Sequence, residues 1–325
     1  MTNNLDQYAI GIDIGGTGTK YGFVNHRGDI SYSGSSIRTN AYDKIEDFVD
    51  DLYKVLKPSI DIIGVEKIRG IGVGAPNGNI YTGTIDYAPN LPWRGIIPLA
   101  KLVTEKFGVP CSLTNDANAA AMGEMMYGAA RGMKDFIVIT LGTGVGSGIV
   151  SNGHLIYGHD GFAGELGHTI IRHNGRKHWS TDLDGSLEAY ASATGIAITA
   201  RELLEKSDQP SLLRNYNTDE LDSKIVYECA MQEDEIAKEV YRFTGEILGD
   251  ALANFIMFSS PKAIILFGGV IKAGDLIMKP TKEHMEKNLL PIFQNKVDLI
   301  FSELKEADAA ILGASALVWE VKEHS

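Results

Sequence analysis

Two stretches lying more than a hundred residues apart carry the same design, and that repetition constrains the fold more than any other feature of the chain. The first begins at Tyr8, where the β-branched residues Ile10, Ile12 and Ile14 read as a strand. It passes through Gly15-Gly-Thr-Gly18 and leaves as a second apolar run through Phe23 and Val24. Residues 136–150 repeat the pattern: an apolar strand to Leu141, then Gly142-Thr-Gly-Val-Gly-Ser-Gly148, then Ile149 and Val150. Two such hairpins imply two similar halves facing one cleft. A turn built of small residues leaves its amides without side-chain cover, and glycine tolerates φ > 0, so it can close on a phosphate. An ordinary glycine-rich hairpin is the alternative at this level. The first stretch is neither a Walker loop nor a dinucleotide fingerprint, because a helix follows those and a strand follows here. Asp13 stands inside the first strand. A carboxylate beside a phosphate loop calls for a cation between them, so Asp13 implies Mg²⁺ held through water.

A chain of 325 residues suggests about two domains. The net charge of −12, without a block of Lys or Arg, argues against a nucleic-acid or membrane surface. No apolar run is long enough to span a bilayer. The opening seven residues are polar and unlike a signal peptide. Cys111 and Cys229 are widely separated, as expected of a reducing compartment. A cytoplasmic protein is the expectation.

Apolar spacing predicts a helix over 41–57, ending before Pro58. A buried strand is expected at 68–74, a loop with short strand pieces over 79–96, a helix over 98–107 and a strand over 109–113. A helix should then run from Asp116 to about 130. Residues 153–185 read as irregular. Helices follow over 186–205, 219–229 and 233–258, then a strand at 262–267 meeting Gly268-Gly269. A helix at 276–288, a strand at 297–301 and a terminal helix over 307–322 complete the chain.

Three glycine sites and two carboxylates suit phosphoryl transfer, which needs charge neutralisation and an aligned nucleophile more than covalent help. Asp116 stands where a strand gives way to a helix, a usual address for ligand groups. There it can take the proton of an attacking hydroxyl or merely cap the helix. Asn90, Asn115, Glu165, His168 and Glu188 are the polar residues suited to a polyhydroxylated acceptor. Read singly, such an Asn90 is more often a turn former and such a His168 more often a structural residue. Trp93 reads as packing.

In order, Asp13-Ile-Gly-Gly-Thr-Gly-Thr-Lys20, Asn115-Asp-Ala-Asn118, Leu141-Gly-Thr-Gly-Val-Gly-Ser-Gly148, Gly164-Glu-Leu-Gly-His168, Leu187-Glu-Ala-Tyr190 and Phe267-Gly-Gly269 closely resemble the ROK family (repressors, open reading frames and kinases) and its bacterial glucokinases in particular. The resemblance covers residues 8 to about 320. It implies an α/β, two-domain, ribonuclease-H-like fold of the actin-type ATPases and sugar kinases, with the cleft between the domains. The smaller domain would hold residues 1–117 with the last helix, from about 308 to 325, and the larger one residues 118–307. It further implies ATP-dependent phosphorylation of a hexose 6-hydroxyl, glucose first, with Asp116 as base. Asn90, Asn115, Glu165, His168 and Glu188 would hold the remaining hydroxyls. Asp13, Gly15, Gly16 and Thr17, with Thr19 and Lys20 on the same hairpin, would serve Mg²⁺ and phosphate. Gly142, Thr143 and Gly144 would form the second phosphate clamp, and Gly268 and Gly269 would flank adenosine. A homodimer is expected from the same likeness.

Two positions depart from the pattern. Relatives follow their histidine with a cysteine run completing a structural zinc site, whereas this chain has His178-Trp-Ser-Thr-Asp-Leu-Asp-Gly-Ser186. Zinc with four N/S ligands needs thiolate or imidazole donors. No structural zinc is therefore expected; packing of Trp179 and polar contacts should order the loop, with a site built from His168, His173 and His178 as the lesser alternative. After Pro76, where many relatives have glycine, stands Asn77, whose amide would reach the sugar's 2- and 3-positions. Kinases of N-acetylglucosamine or N-acetylmannosamine, alone or alongside glucose, are hence the alternative enzymes. A sugar-sensing regulator is the competing class, and with so short a stretch ahead of Gly11 its winged helix-turn-helix is not expected.

Overall fold

The computed structural model describes residues 7–320. Strands β1 (Tyr8–Ile14) and β2 (Thr19–Asn25) form the first glycine hairpin, followed by β3 (Ile30–Ile37), helix α1 (Ile45–Ile63) and β4 (Ile68–Gly74). Three short strands, β5 (Gly78–Asn79), β6 (Thr84–Asp86) and β7 (Ile96–Ile97), make a small sheet inside the expected loop. Helix α2 (Leu99–Phe107), β8 (Cys111–Thr114) and α3 (Asp116–Tyr127) come next. The second hairpin is β9 (Phe136–Leu141) and β10 (Val145–Ser151), with β11 (His154–Leu155) after it. Helices α4 (Glu188–Ala191), α5 (Ala193–Lys206), α6 (Ser223–Ala230) and α7 (Glu235–Ser259) precede β12 (Ala263–Phe267), α8 (Asp275–Lys287), β13 (Asp298–Phe301) and α9 (Glu306–Glu320). The expected end of the last helix, Lys322, lies outside the described residues.

The first sheet has the order β3-β2-β1-β4-β8 and the second β11-β10-β9-β12-β13. In the first, β1 pairs antiparallel with β2 and parallel with β4, which pairs parallel with β8. In the second, β9, β12 and β13 are parallel. Each hairpin's first strand thus begins a parallel run, so the repeat seen in the sequence is a repeat of sheet topology. The ribonuclease-H-like expectation holds.

Contacts divide the chain into two units. The first takes the described residues up to Met133, Gly148–Gly164 and the described residues from Ser302 onward; the second takes Lys134–Ser147 and Glu165–Phe301. The division falls later than residue 117 and passes through β10. Helix α3 belongs to the first unit because it packs on α9, where a Cβ on Gly123 would stand 2.9 Å from the Cα of Gly313. Helix α9 in turn rests directly on the sheet. Gly11 and Gly72 are partners across β1 and β4, and a Cβ on either would lie 2.1 Å from the Ile311 carbonyl oxygen or 1.9 Å from that of Ala314. That glycine pair is the floor on which the helix sits.

Helix α1 runs through Pro58 rather than stopping before it. A proline inside a helix costs about 3 kcal/mol. Burying Ile60 and Ile63 beyond it returns about 1.5–3 kcal/mol each, so continuing wins. The stop signal is Gly64, at φ 90°, whose N–H bonds to the Ile60 carbonyl. The helix expected over 186–205 breaks at Ser192, whose extended backbone and hydroxyl, accepting from Gly195 N–H at 3.0 Å, cap α5. No helix among the described residues is long and apolar enough to cross a membrane.

Candidate active site

The first unit gathers Asp13, the β1–β2 turn, Asn90, Asn115 and Asp116. Asp13 lies near the end of β1 opposite Lys20 of β2, because the antiparallel register pairs them. Burial and the charge of Asp116 raise its carboxyl to about 6, while Lys20 pulls it down. The two acids expected to share one site are therefore near enough to feel one another. Asp116 is the first residue of α3, following the cap Asn115, whose Oδ1 accepts from Ala117 N–H at 2.8 Å. Capping is thus supplied by Asn115, although Asp116 Oδ1 also accepts from Ala117 N–H at 2.8 Å. Asp116 remains reachable by solvent, yet the protein around it strips enough water to raise its carboxyl above the usual carboxylate range. Reachable and partly desolvated is what a general base needs.

Asn90 is exposed, with its carbonyl against the hairpin: a Cβ on Gly16 would come within 2.6 Å of it. In the turn, Gly15 N–H bonds to the Gly18 carbonyl at 3.1 Å, so that amide closes the turn rather than facing a ligand. Thr17 is exposed, whereas Thr19 is fully buried with its hydroxyl 2.9 Å from that of Thr39. Strand alternation decides this, since Thr19 pairs with the buried Ile14 while Lys20 pairs with Asp13. The phosphate role expected of the Thr19 side chain is corrected accordingly. Asn77 adopts φ 52°, which asparagine tolerates in place of glycine, and its Nδ2 donates to the Asp86 carbonyl at 2.9 Å. Its amide donor braces the loop leading to β6. Trp93 is buried against Phe48 with Nε1 donating to the Tyr42 carbonyl, as packing requires.

Within the second unit, Gly142 N–H bonds to the Gly144 carbonyl at 3.0 Å, closing the second turn as Gly15 closes the first. Thr143 is exposed, its carbonyl accepting from the Thr194 hydroxyl at 3.0 Å. Gly142 and Gly269 both face open space, as a ligand's approach requires. Gly268 is different. At φ 108°, with any Cβ 2.5 Å from the Leu141 carbonyl, it is needed for packing between β12 and β9. Glu188, the first residue of α4, is held by both oxygens: Oε2 accepts from Val145 N–H at 2.6 Å and Oε1 lies 2.7 Å from His178 Nε2. Glu165 is exposed, and His168 Nε2 lies 3.8 Å from its Oε2.

Residues 170–186 form an irregular hairpin closed by bridges between Ile170 and Ser186 and between Lys177 and Asp184. Its anchor is Arg176, which the sequence reading missed. Nε and Nη2 make a bidentate pair with Glu202 at 2.9 Å, Nη1 donates to the carbonyls of Ala189 and Gly195, and Nη2 also donates to the Thr199 hydroxyl. The guanidinium lies 4.6 Å over the Tyr190 ring. Trp179 stacks on His178 but stays 43% exposed, so it covers the loop rather than filling it.

Zinc does not suit this loop. His168 Nδ1 is buried without a partner, but the nearest imidazole, His178, has both ring nitrogens occupied by hydrogen bonds. His173 is exposed, no cysteine lies in the stretch, and among the described residues no group of three His, Cys, Asp or Glu could hold a metal. Mg²⁺ poses a lesser demand, one or two carboxylates plus water and phosphate, and Asp13 fits it.

Fold and site together define a sugar kinase-like ATPase. The chain belongs to the ROK family, whose profile matches residues 9–321. It is 36% identical to a glucokinase of Halalkalibacterium halodurans, over 96% of this chain and 95% of that one. It is also 30% identical to a xylose repressor of Caldicellulosiruptor bescii, over 83% of this chain and 69% of the repressor. The crystal structure of a ROK family glucokinase from Streptomyces griseus with glucose and AMPPNP superposes with a TM-score of 0.78 and 30% identity, covering 95% of this chain and 98% of that one.

Proposed function

We propose that this chain is an ATP-dependent hexokinase that phosphorylates the 6-hydroxyl of glucose. The observation that carries the reading is the pairing of Asp116, reachable and desolvated at the head of α3, with Asp13 beside a glycine turn. The near-full-length likeness to glucokinases supports the substrate. Asp116 orients the 6-hydroxyl and takes its proton as it attacks. Asn90 holds a neighbouring hydroxyl, with Asn115 Nδ2 beside the base. Glu165, His168 and Glu188 are the hydroxyl partners in the second unit. Asp13, Gly16, Thr17 and Lys20 attend Mg²⁺ and phosphate; Gly142, Thr143, Gly144 and Gly269 attend the rest of the nucleotide. Mg²⁺, when bound, neutralises charge on the transferred phosphoryl group. Both cysteines are unpaired, in keeping with a cytoplasmic enzyme, and a homodimer is the assembly proposed.

A coupled assay with ATP over glucose, N-acetylglucosamine, N-acetylmannosamine and fructose tests the reading: glucose should give the highest kcat/KM. An acetamido sugar in first place would move the assignment to that kinase. Absence of turnover on every sugar, with sugar binding retained, would favour the regulator class.

Asp13→Asn should trade function for stability. In the folded protein the carboxyl titrates near 6 rather than at its ordinary 3.8. The raised value means that the charged form is disfavoured by folding, a penalty present above pH 6 that fades as pH falls toward 4. The nucleotide-free variant should thus melt higher than the wild type at pH 8 and alike at pH 4, while losing Mg²⁺–ATP turnover. Equal melting temperatures at both pH values would show that Asp13 is not under strain.

The zinc-free loop is testable directly. Protein purified without metal supplementation should hold well under one equivalent of zinc and keep its melting temperature in chelator; one tightly bound equivalent overturns this.

A further inference from the structure

A buried imidazole in the 170–186 hairpin has no part in the reading above. The His178 side chain is 0% exposed, with the Trp179 ring stacked on it at 4.0 Å between centroids. Nδ1 accepts from the backbone N–H of Ser180 at 3.1 Å and of Thr181 at 3.2 Å. A ring nitrogen that accepts two N–H donors carries no proton, so the proton resides on Nε2. Nε2 therefore donates to Glu188 Oε1, 2.7 Å away. Val145 N–H fixes the other oxygen at 2.6 Å. A carboxylate has about four acceptor positions; these two donors leave about two. Glu188 retains 14% exposure through which a ligand can reach them. The second turn makes room for this arrangement, because any Cβ at Gly144 would stand 2.4 Å from Glu188 Oε2.

We propose that His178 is the positioning residue for Glu188, donating from Nε2 so that the carboxylate is held in one rotation with its remaining lone pairs open to a sugar hydroxyl. The proposal rests on the reading of Glu188 as a hydroxyl ligand. It makes an imidazole do the ordering of this loop's binding edge. The two backbone donors at Nδ1 fix the tautomer, the tautomer fixes the donor, and the donor fixes the carboxylate. A wrong tautomer would set two acceptors against each other across 2.7 Å.

Four variants, His178→Ala, His178→Gln, Glu188→Gln and the double variant His178→Ala/Glu188→Gln, separate positioning from mere folding. Their readouts are calorimetric glucose affinity, kcat, KM for glucose and for ATP, and melting temperature. His178→Ala should weaken glucose about tenfold or more, the usual size of a lost hydrogen bond to a charged group, with KM for ATP unchanged. His178→Gln, whose amide nitrogen restores a donor, should recover most of that loss. In the Glu188→Gln background, removing His178 should cost little further affinity, because coupled residues are not additive. Additive losses, or a lowered melting temperature with glucose affinity intact, would overturn the proposal. Nitrogen-15 NMR of the wild-type histidines decides the tautomer without any variant or activity: a proton on Nε2 of His178 is expected, and one on Nδ1 refutes it. Wild-type protein that turns over no hexose would sink the kinase reading alone, leaving the tautomer to be judged on its own spectrum.

Discussion

Asp116→Asn is expected to lower kcat by about 10²–10⁴-fold, the usual worth of a general base, while glucose affinity and melting temperature stay near wild type. The amide is nearly isosteric with the carboxylate but accepts no proton at neutral pH. Folding should be spared because helix α3 is capped by Asn115, whose Oδ1 still accepts from Ala117 N–H. Stability should even rise slightly at neutral pH: desolvation by the surrounding protein raises the carboxyl, so folding is opposed once the pH exceeds the ordinary carboxylate range, and the neutral amide removes that cost. A second consequence falls on Asp13. Loss of the Asp116 charge should bring the Asp13 carboxyl down from about 6 toward the ordinary range, visible as a shift in its NMR titration. Near-native kcat in this variant would remove Asp116 from the base role; a collapse of glucose binding with an unchanged kcat would make it a binding residue instead.

Arg176→Ala should strongly destabilise the second unit. Its side chain is 8% exposed, and its donors serve Glu202, two backbone carbonyls and the Thr199 hydroxyl. Breaking a buried ion pair costs about 3–5 kcal/mol. Glu202 is 39% exposed and regains water once freed, so the lower end, about 3 kcal/mol, is expected. Arg176→Lys keeps the charge but cannot reproduce a planar fork, and should recover less than half of the loss. Because the same loop carries His178, both variants should also raise KM for glucose more than KM for ATP. Denaturant midpoints and steady-state kinetics check the two effects. Wild-type stability in Arg176→Ala would mean that the bridges at Ile170–Ser186 and Lys177–Asp184 suffice to hold the hairpin.

Much of this was legible in the residues. Both hairpins, the buried strands and the long helix α7 follow from apolar periodicity and glycine placement, which act over a few neighbouring positions. The candidate residues Asp13 and Asp116 stand out because a carboxylate in an apolar strand or at a strand end has few reasons to be there. Less legible was the identity of the residue that caps α3, since Asn115 and Asp116 are both good caps and only backbone geometry chooses between them. Pro58 misled because the apolar stripe beyond it, Ile60 and Ile63, outweighs a local helix breaker only once there is a core to enter.

The sequence by itself determined the duplicated architecture, the family and the lack of cysteine between His168 and Glu188, because each depends on residue type and order. Tertiary structure alone decided which of these residues are open to a ligand. Thr19 turns inward to Thr39, Gly268 serves packing, and the Asn77 amide braces its own loop. Arg176 and His178 acquire their roles from partners 10 to 26 positions away. Hydrogen bonds and burial are properties of neighbours in space, and no local pattern in the chain states who those neighbours are.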